Sequence, residues 1–220
     1  MEKNKIHKYI VVLLSCLCWI HSVSSLEAQN VAEIMDKAVK AYEQSKGLTA
    51  TFTMNARSVA QGNSESFEGT IDIKGEKFVL KTPDMITWYD GEKQWVYLEQ
   101  TEEVNLTVPE GEDLQMTNPS YLLKSYKKGF KASFKGESTA PNGKAAYDIE
   151  LIPKIKKDVK LVTLQVEKYS GLPVSIRFDM KNDMSSSIKI TRIVTGVDQP
   201  DDFFIFNEND YPEAEVIDLR

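Results

Sequence analysis

The first apolar repeat in the chain has the period of a helix. Between Asn30 and Lys46, apolar residues recur at three- and four-residue intervals, from Val31 to Tyr42, which is typical of one face of an amphipathic helix. Asn30 is a suitable N-cap residue, and Gly47 is a suitable C-terminal stop. The sequence therefore predicts a helix over Asn30–Lys46.

After Gly47 the apolar repeat shortens to two residues, the period of a half-buried β-strand. The dipeptide Asp90-Gly91 is the strongest hairpin signal between two such segments. The predicted strands are Leu48–Ala56, Phe67–Lys74, Lys77–Lys81, Met85–Tyr89, Trp95–Leu98, Glu103–Val108, Phe130–Phe134, Ala145–Ile152, Leu161–Tyr169, Pro173–Met180 and Ser187–Val194.

A second helix over Pro119–Lys128 interrupts the strands, because proline favours a first helical turn and Gly129 follows as a stop. The tail beyond Phe203–Phe206 is mostly acidic, and we predict irregular structure there. Many short strands in meander order with two helices predict a mainly β fold. We expect one strongly curved antiparallel sheet, with helices over one side.

Alternation along the strands predicts an apolar inner face of the sheet, and the second helix adds leucines towards it. This face has two interpretations, a packed core or the wall of a ligand cavity, and periodicity alone does not separate them. The predicted wall residues are Phe52, Met54, Phe67, Ile71, Ile73, Phe78, Leu80, Trp88, Trp95, Tyr97, Val104, Leu122 and Leu123.

The first 28 residues resemble a cleavable export signal. Three lysines precede the apolar run Tyr9–Ile20, which is too short to span a membrane and is followed by small residues up to Ala28. We predict cleavage after Ala28, which leaves residues 29–220 as a single domain. Removal of three Lys and two Glu gives that domain a net charge of −7.

An alternative is a lipid anchor at Cys16. Leu13-Leu14-Ser15-Cys16 resembles a bacterial lipobox, whose cysteine is acylated and becomes the new N-terminus. Soluble export is the favoured interpretation, because the apolar run before Cys16 is short and continues past it. The choice matters, since a lipid on Cys16 would tether the protein to a membrane.

The positions of the reactive residues argue against most enzyme chemistry. Both Cys and both His lie within the first 21 residues, so cleavage removes every thiol and imidazole and leaves none for nucleophilic catalysis or for a zinc, haem or iron–sulfur site. We expect no enzyme activity, no metal and no cofactor. Carboxylate-based hydrolysis at Asp84, Asp90 and Glu99 is the remaining catalytic alternative, although Asp90 is explained by its turn.

Charge argues against nucleic-acid binding. The whole chain carries a net charge of −6, whereas nucleic-acid binding needs clustered cations. The one basic run, Lys154–Lys160, follows Pro153 and is interpreted as a solvated loop, with a docking patch as the alternative.

One block of the sequence resembles a known family. Trp88–Tyr97, which contains Asp-Gly, Trp and Tyr, followed by Glu103-Val104, is similar to the central motif of the LolA family of periplasmic lipoprotein carriers. Leu48–Phe52, Phe67–Lys74 and Asn118–Leu123 are similar to further segments of that family. The resemblance covers about residues 31–197.

The resemblance implies an incomplete antiparallel barrel with a helical lid over an apolar cavity. It implies a monomeric periplasmic carrier that takes the acyl chains of a lipoprotein from an inner-membrane releasing transporter to an outer-membrane acceptor. Family members commonly have Arg-Pro after the strand that matches residues 69–74, and the arginine holds the lid. Here Gly75 and Glu76 occupy those positions, so the lid-holding residue does not carry over, and the lid is either looser or held by other contacts.

The same fold also serves envelope sensors and membrane-tethered lipoprotein receptors. Fold therefore does not fix the role. An interaction or sensor domain, tethered through Cys16, is the alternative to a soluble carrier, and the two differ in the mature N-terminus, which is acylated Cys16 or free Gln29.

Overall fold

The structure is a computed structural model, and it describes residues 31–58, 62–109, 114, 119–155 and 158–220. Helix α1 covers residues 31–44 and buries the apolar stripe that predicted it. The helix ends two residues before Lys46, which takes a left-handed φ of 58°. The predicted cap, Asn30, lies outside the described residues.

Gly47 is required where the chain leaves α1. Its φ is +130°, and a Cβ atom at this position would lie 2.1 Å from the carbonyl oxygen of Val197. The carbonyl oxygen of Gly47 also accepts hydrogen bonds from the backbone N–H groups of Gly196 and Val197. This close approach ties the end of α1 to the segment that follows the last long strand.

Twelve strands form one sheet. Their bounds are β1 Leu48–Ser58, β2 Asn63–Lys74, β3 Lys77–Lys81, β4 Met85–Tyr89, β5 Gln94–Leu98, β6 Glu103–Thr107, β7 Phe130–Thr139, β8 Ala145–Pro153, β9 Val159–Glu167, β10 Pro173–Met180, β11 Met184–Thr195 and β12 Glu215–Asp218. Helix α2 covers Pro119–Gly129, between β6 and β7.

The strand order across the sheet is β12-β6-β5-β4-β3-β2-β1-β11-β10-β9-β8-β7. The two outermost strands, β12 and β7, do not pair with each other, so the sheet is not closed into a barrel. Neighbouring strands are antiparallel apart from β12, which runs parallel to β6. The mainly β, incomplete-barrel prediction is confirmed.

The acidic tail is more regular than predicted. It contains two short 3₁₀ helices, Asp201–Phe204 and Glu208–Asp210, and then β12. The prediction of irregular structure is wrong for these residues, because Phe204 and Phe206 are buried and anchor the tail on the sheet. The anchored tail brings Glu215–Asp218 alongside β6, where the pairing partners lie far away in the sequence.

Both faces of the sheet carry an apolar core. The larger core lies on the face that α1 and α2 cover, and it includes Phe52, Ile71 and Leu164. A second core lies on the opposite face of β3–β6, under the C-terminal tail. We call these the inner and outer faces.

Candidate functional site

The inner face carries a continuous apolar surface, which we call the inner wall. Cross-strand neighbours lie side by side along it: Ala50 faces Ile71, and Met54 faces Phe67 across β1 and β2. Ile71 and Ile73 in turn face Leu80 and Phe78 on β3. Seven predicted site residues share this wall, namely Phe52, Met54, Phe67, Ile71, Ile73, Phe78 and Leu80.

Four predicted site residues lie on the outer face instead. Trp88 pairs with Val79 and not with Phe78, so its side chain points to the face opposite to the predicted one. The prediction that all the aromatic residues share one face is therefore wrong for this group. The four residues, Trp88, Trp95, Tyr97 and Val104, belong to or pack against the outer core.

The two helices cover the inner wall with apolar side chains. Met35 and Ala38 of α1 are fully buried, and Leu122 and Leu123 of α2 are 1% exposed. Both predicted leucines of α2 thus belong to the inner core. A ligand can reach the wall beneath α2 only by displacing these side chains.

A small apolar cavity lies between α1 and the wall. Its volume is about 40 Å³, well below the roughly 300–1,000 Å³ of a typical small-molecule pocket. Its lining includes Tyr42 of α1, Ile73 of β2 and Ile190 of β11. Helix α1 is therefore closed on the wall at this place, with side chains in most of the space.

One end of the wall is less covered than the rest. Met54, Phe67, Met180 and Ile188 are only half-buried, although they pack against the inner core. All four lie near the β1–β2 and β10–β11 turns, because Ser58 pairs with Met184 at that end of the sheet. We call this region the open end of the wall.

Helix α2 is held to the sheet at the two positions where the family's Arg-Pro is absent. The Ser120 hydroxyl donates a hydrogen bond of 3.4 Å to the Gly75 carbonyl oxygen. The Lys124 ammonium lies 3.3 Å from a Glu76 carboxylate oxygen. In both contacts the helix is the donor and the β2–β3 turn is the acceptor.

A third link joins the two helices. Lys127 of α2 lies 2.7 Å from a carboxylate oxygen of Asp36 in α1, and both side chains are about half exposed. Exposed ion pairs of this kind contribute roughly 0–1 kcal/mol. The polar links of α2 are therefore weak, and its apolar side chains supply most of its contact with the wall.

Two buried tyrosine hydroxyls have no hydrogen-bond partner among the described residues, those of Tyr42 and Tyr126. Burial raises the pKa of both side chains, so that they stay protonated. Unpaired buried hydroxyls cost free energy relative to hydrated ones.

One of the three carboxylates of the catalytic alternative has a structural role. The Asp90 side chain accepts hydrogen bonds from the N–H groups of Glu92 and Lys93, at 2.8 and 2.7 Å, and so holds the turn. In the described ranges no cluster of three His, Cys, Asp or Glu residues has metal-site geometry.

Sequence reasoning missed the packing of the C-terminal tail on the outer face of the sheet. Tyr211 stacks near Tyr97, with ring centroids 4.7 Å apart, and Phe206 meets Trp88 edge-on at 5.4 Å. A groove of about 600 Å³ between β3, β4 and the tail is lined by both aromatic and acidic side chains. The apolar spacing of Phe203–Phe206 is the one signal in the sequence that points to it.

Within the described parts of the chain, no helix has the length and apolar character needed to cross a bilayer.

Comparisons with known proteins place this fold. Residues 22–182 match the sequence profile of the LolA_2 family, described as outer membrane lipoprotein carrier protein LolA. A search of curated proteins returns no match. An uncharacterized conserved protein from Thermus thermophilus shares the fold, with a TM-score of 0.60 at 13% identity over 86% of this chain and 99% of that one.

Two other solved structures are similar at a lower level. One is a LolA superfamily protein from Nitrosomonas europaea, with a TM-score of 0.44 and 11% identity over 80% of this chain and 97% of that one. The other is the lipoprotein LppX of Mycobacterium tuberculosis, with a TM-score of 0.44 and 12% identity over 74% and 93%.

Proposed function

The chain belongs to the LolA family of outer membrane lipoprotein carrier proteins, and we propose that it carries acyl chains of lipoproteins on its inner wall. The single observation that carries the proposal is the inner wall itself, an apolar sheet face covered by two helices. In this proposal, acyl chains replace the contacts that Leu122 and Leu123 make with the wall.

The energetics favour such an exchange. Hiding one CH₂ group from water stabilises a complex by about 0.8 kcal/mol, so a chain of about 16 carbons gains roughly 12 kcal/mol. The uncovered leucines of α2 lose part of their burial, at about 1.5–3 kcal/mol for each side chain. The acyl chain therefore outweighs the helix on the wall, and the helix closes again when the chain leaves.

The position of the open end supports a route for loading. Met54 and Phe67 are already half-exposed, so a chain can touch the wall there before α2 moves. Deeper entry then displaces α2, whose polar links to Gly75, Glu76 and Asp36 are weak. First contact thus precedes the movement of α2, and deeper binding shifts the helix from its closed to its open position.

The cellular part of the proposal follows the family. We propose that residues 1–28 direct export and are removed, and that residues 29–220 act as one domain in the periplasm without any enzyme activity. An inner-membrane lipoprotein-releasing transporter would be the donor, and an outer-membrane protein the acceptor. Transfer would run on differences in acyl affinity between the three, since no covalent step is needed.

A fluorescent fatty-acid analogue tests the proposal. Met54→Gln puts an amide of similar length on the inner wall, and we expect it to weaken binding about tenfold, because burying an unpaired amide is unfavourable. The matched control is Ile86→Gln, which changes a half-buried residue on the outer face and should leave the affinity unchanged.

Circular dichroism establishes that both variants fold. Saturable binding of about one probe per chain, weakened only by Met54→Gln, supports the proposal. Absence of binding to the wild-type protein, or equal affinity in the two variants, overturns it.

A further inference from the structure

Exposed lysines gather at one end of the sheet, although the chain as a whole is acidic. They come from the end of α2, the start of β7, the β8–β9 turn with the start of β9, and the β10–β11 turn. We call this group the basic end; its members are Lys127, Lys128, Lys131, Lys154, Lys160 and Lys181, all exposed.

Backbone contacts hold these segments together. The Lys154 N–H donates to the Gly129 carbonyl oxygen at 2.9 Å, and the Lys154 ammonium donates to the Lys127 carbonyl oxygen at 2.6 Å. On the other side, the Lys181 N–H donates to the Asp158 carbonyl oxygen at 2.9 Å. These bonds join the end of α2 to the end of β8, and the start of β9 to the end of β10, while β8 pairs with β9. The segments that carry the lysines therefore lie side by side at one end of the sheet.

The charge of this surface is only partly neutralised. Among the described residues, Asp36, Asp158 and Asp183 lie on or next to it, so six lysines face three carboxylates, an excess of three positive charges on a chain of net charge −6. Asp179, which is also close, is paired with Arg177 and leaves this excess unchanged. Lys127 is paired with Asp36. Within the described residues, Lys128, Lys131, Lys160 and Lys181 have no ion pair.

Apolar side chains project between the lysines. Ile155 is 67% exposed in the β8–β9 turn, Ile152 is 46% exposed opposite Lys131, and Met184 is 46% exposed after the β10–β11 turn. Lysines with exposed aliphatic residues form the combination that binds the interface of an anionic bilayer, where apolar groups enter the headgroup layer and cations meet lipid charge.

The open end of the inner wall lies beside the basic end. Met180, a half-buried wall residue, pairs with Val159 at the start of β9, and Lys181 follows it directly. From this arrangement we propose that the basic end is a docking surface for an anionic lipid bilayer, which the protein approaches with the open end of its wall towards the membrane.

This orientation gives the docking surface a purpose. A chain that leaves the bilayer next to Met180 and Met54 would meet the apolar wall within a short path through water. The surface uses reversible electrostatic attraction, which salt screens, so the protein can leave the membrane after loading.

Vesicle co-sedimentation of the processed protein, residues 29–220, tests the inference, because the lysines and apolar run of residues 1–28 would themselves bind anionic vesicles. The probes are vesicles of phosphatidylcholine alone, and vesicles of about two parts phosphatidylcholine to one part phosphatidylglycerol. We expect affinity for the anionic vesicles to exceed that for the neutral ones by at least about tenfold and to fall steeply with added salt.

The charge-reversal variant Lys128→Glu/Lys160→Glu should lower affinity for anionic vesicles at least about tenfold. Its matched control, Lys40→Glu/Lys189→Glu, makes the same charge change at exposed lysines outside the basic end and should have a much smaller effect. Ile155→Ser should weaken binding several-fold, whereas Leu219→Ser, at a residue 60% exposed elsewhere, should not.

Equal binding to both kinds of vesicle, or equal losses of affinity in the two lysine variants, would overturn the inference. Absence of binding to either kind of vesicle would also overturn it and would point to an acidic protein partner instead. Acyl-probe binding of Lys128→Glu/Lys160→Glu should match wild type. Failure of the docking surface is thereby distinguished from failure of acyl binding.

Discussion

Lys124 of α2 and Glu76 of the β2–β3 turn form an ion pair, 3.3 Å long, across the seam between helix and sheet. Next to it, Ser120 bonds to the Gly75 carbonyl oxygen. Both acceptors, Gly75 and Glu76, occupy the positions at which the resemblance to the LolA family implies Arg-Pro. The seam is thus the place to test how the helix opens.

We expect Lys124→Ala to speed the uptake of a fluorescent fatty-acid analogue several-fold, as measured by stopped-flow fluorescence. The reason is that the closed position of α2 loses one of its polar links while the apolar wall stays intact. Stability should change by less than about 1 kcal/mol, because the pair is exposed.

The matched control for that experiment is Lys135→Ala, which removes an ion pair with Glu150, 3.1 Å long, between β7 and β8. It should leave the uptake rate unchanged. The exchange variant Glu76→Lys/Lys124→Glu should return the uptake rate towards wild type. An uptake rate as high as that of Lys124→Ala would show that the ion pair does not hold α2 on the wall.

Gly47→Ala should destabilise the protein by about 2–4 kcal/mol. The new Cβ would meet the Val197 carbonyl oxygen at 2.1 Å, and the φ of +130° is unfavourable for alanine. Urea denaturation measures the change. Gly62→Ala is the control, because Gly62 also has a positive φ but no atom of the described residues lies within 4 Å of a Cβ placed there, so its cost should be only about 1–2 kcal/mol.

Phe204→Ala should lower the free energy of unfolding by about 3–5 kcal/mol without changing acyl affinity. Phe204 is fully buried in the outer core, and truncation leaves a cavity there. Acyl-probe titration at a temperature where the variant is folded measures whether the acyl affinity is unchanged. A large loss of affinity would mean that the outer face contributes to the binding site.

The carboxyl group of Asp218 should titrate well below its usual range. Bonds from the Arg220 side chain and backbone lower its pKa to about 2. Because the folded pKa is depressed, this interaction is fully present above the unfolded value near 3.8 and is lost as the pH falls through about 2. Carboxyl ¹³C shifts measure the midpoint, which should return towards 3.8 in Arg220→Ala.

Mass spectrometry of the protein from its native envelope should find Gln29 as the N-terminus. An export signal cleaved after Ala28 leaves that residue free, whereas a processed lipobox would leave acylated Cys16. Recovery of diacylated or triacylated Cys16 would replace the soluble carrier with a membrane-tethered protein, the sensor or receptor alternative.

Periodicity is sufficient to predict the inner wall at β1 and β2. Phe52 and Ile71 alternate with polar or smaller residues, and the strand register then places them on one face. The Asp90-Gly91 turn is equally clear, since its geometry is local. These features depend on neighbours in the sequence, which a single sequence displays.

The outer face could not be assigned in the same way. Strand β3 has apolar residues on both faces, with Val79 buried between Phe78 and Leu80. Alternation therefore does not show which residues of β3, or of its neighbour β4, point to the inner face. The size and apolar character of Trp88 favour an inner position, yet the residue that covers it, Phe206, lies more than a hundred positions away. Long-range cover of this kind leaves no periodic signal.

The pairing of β1 with β11 sets a condition on folding. Phe52 faces Ile190 across this seam, so the two halves of the sheet join only when the chain has been made almost to its end. Contacts this distant in sequence slow folding, and until they form, two long strands keep open hydrogen-bonding edges. A chain that ends before Met184 would therefore have two half-sheets with unpaired edge strands in place of a smaller working protein, and we expect it to aggregate.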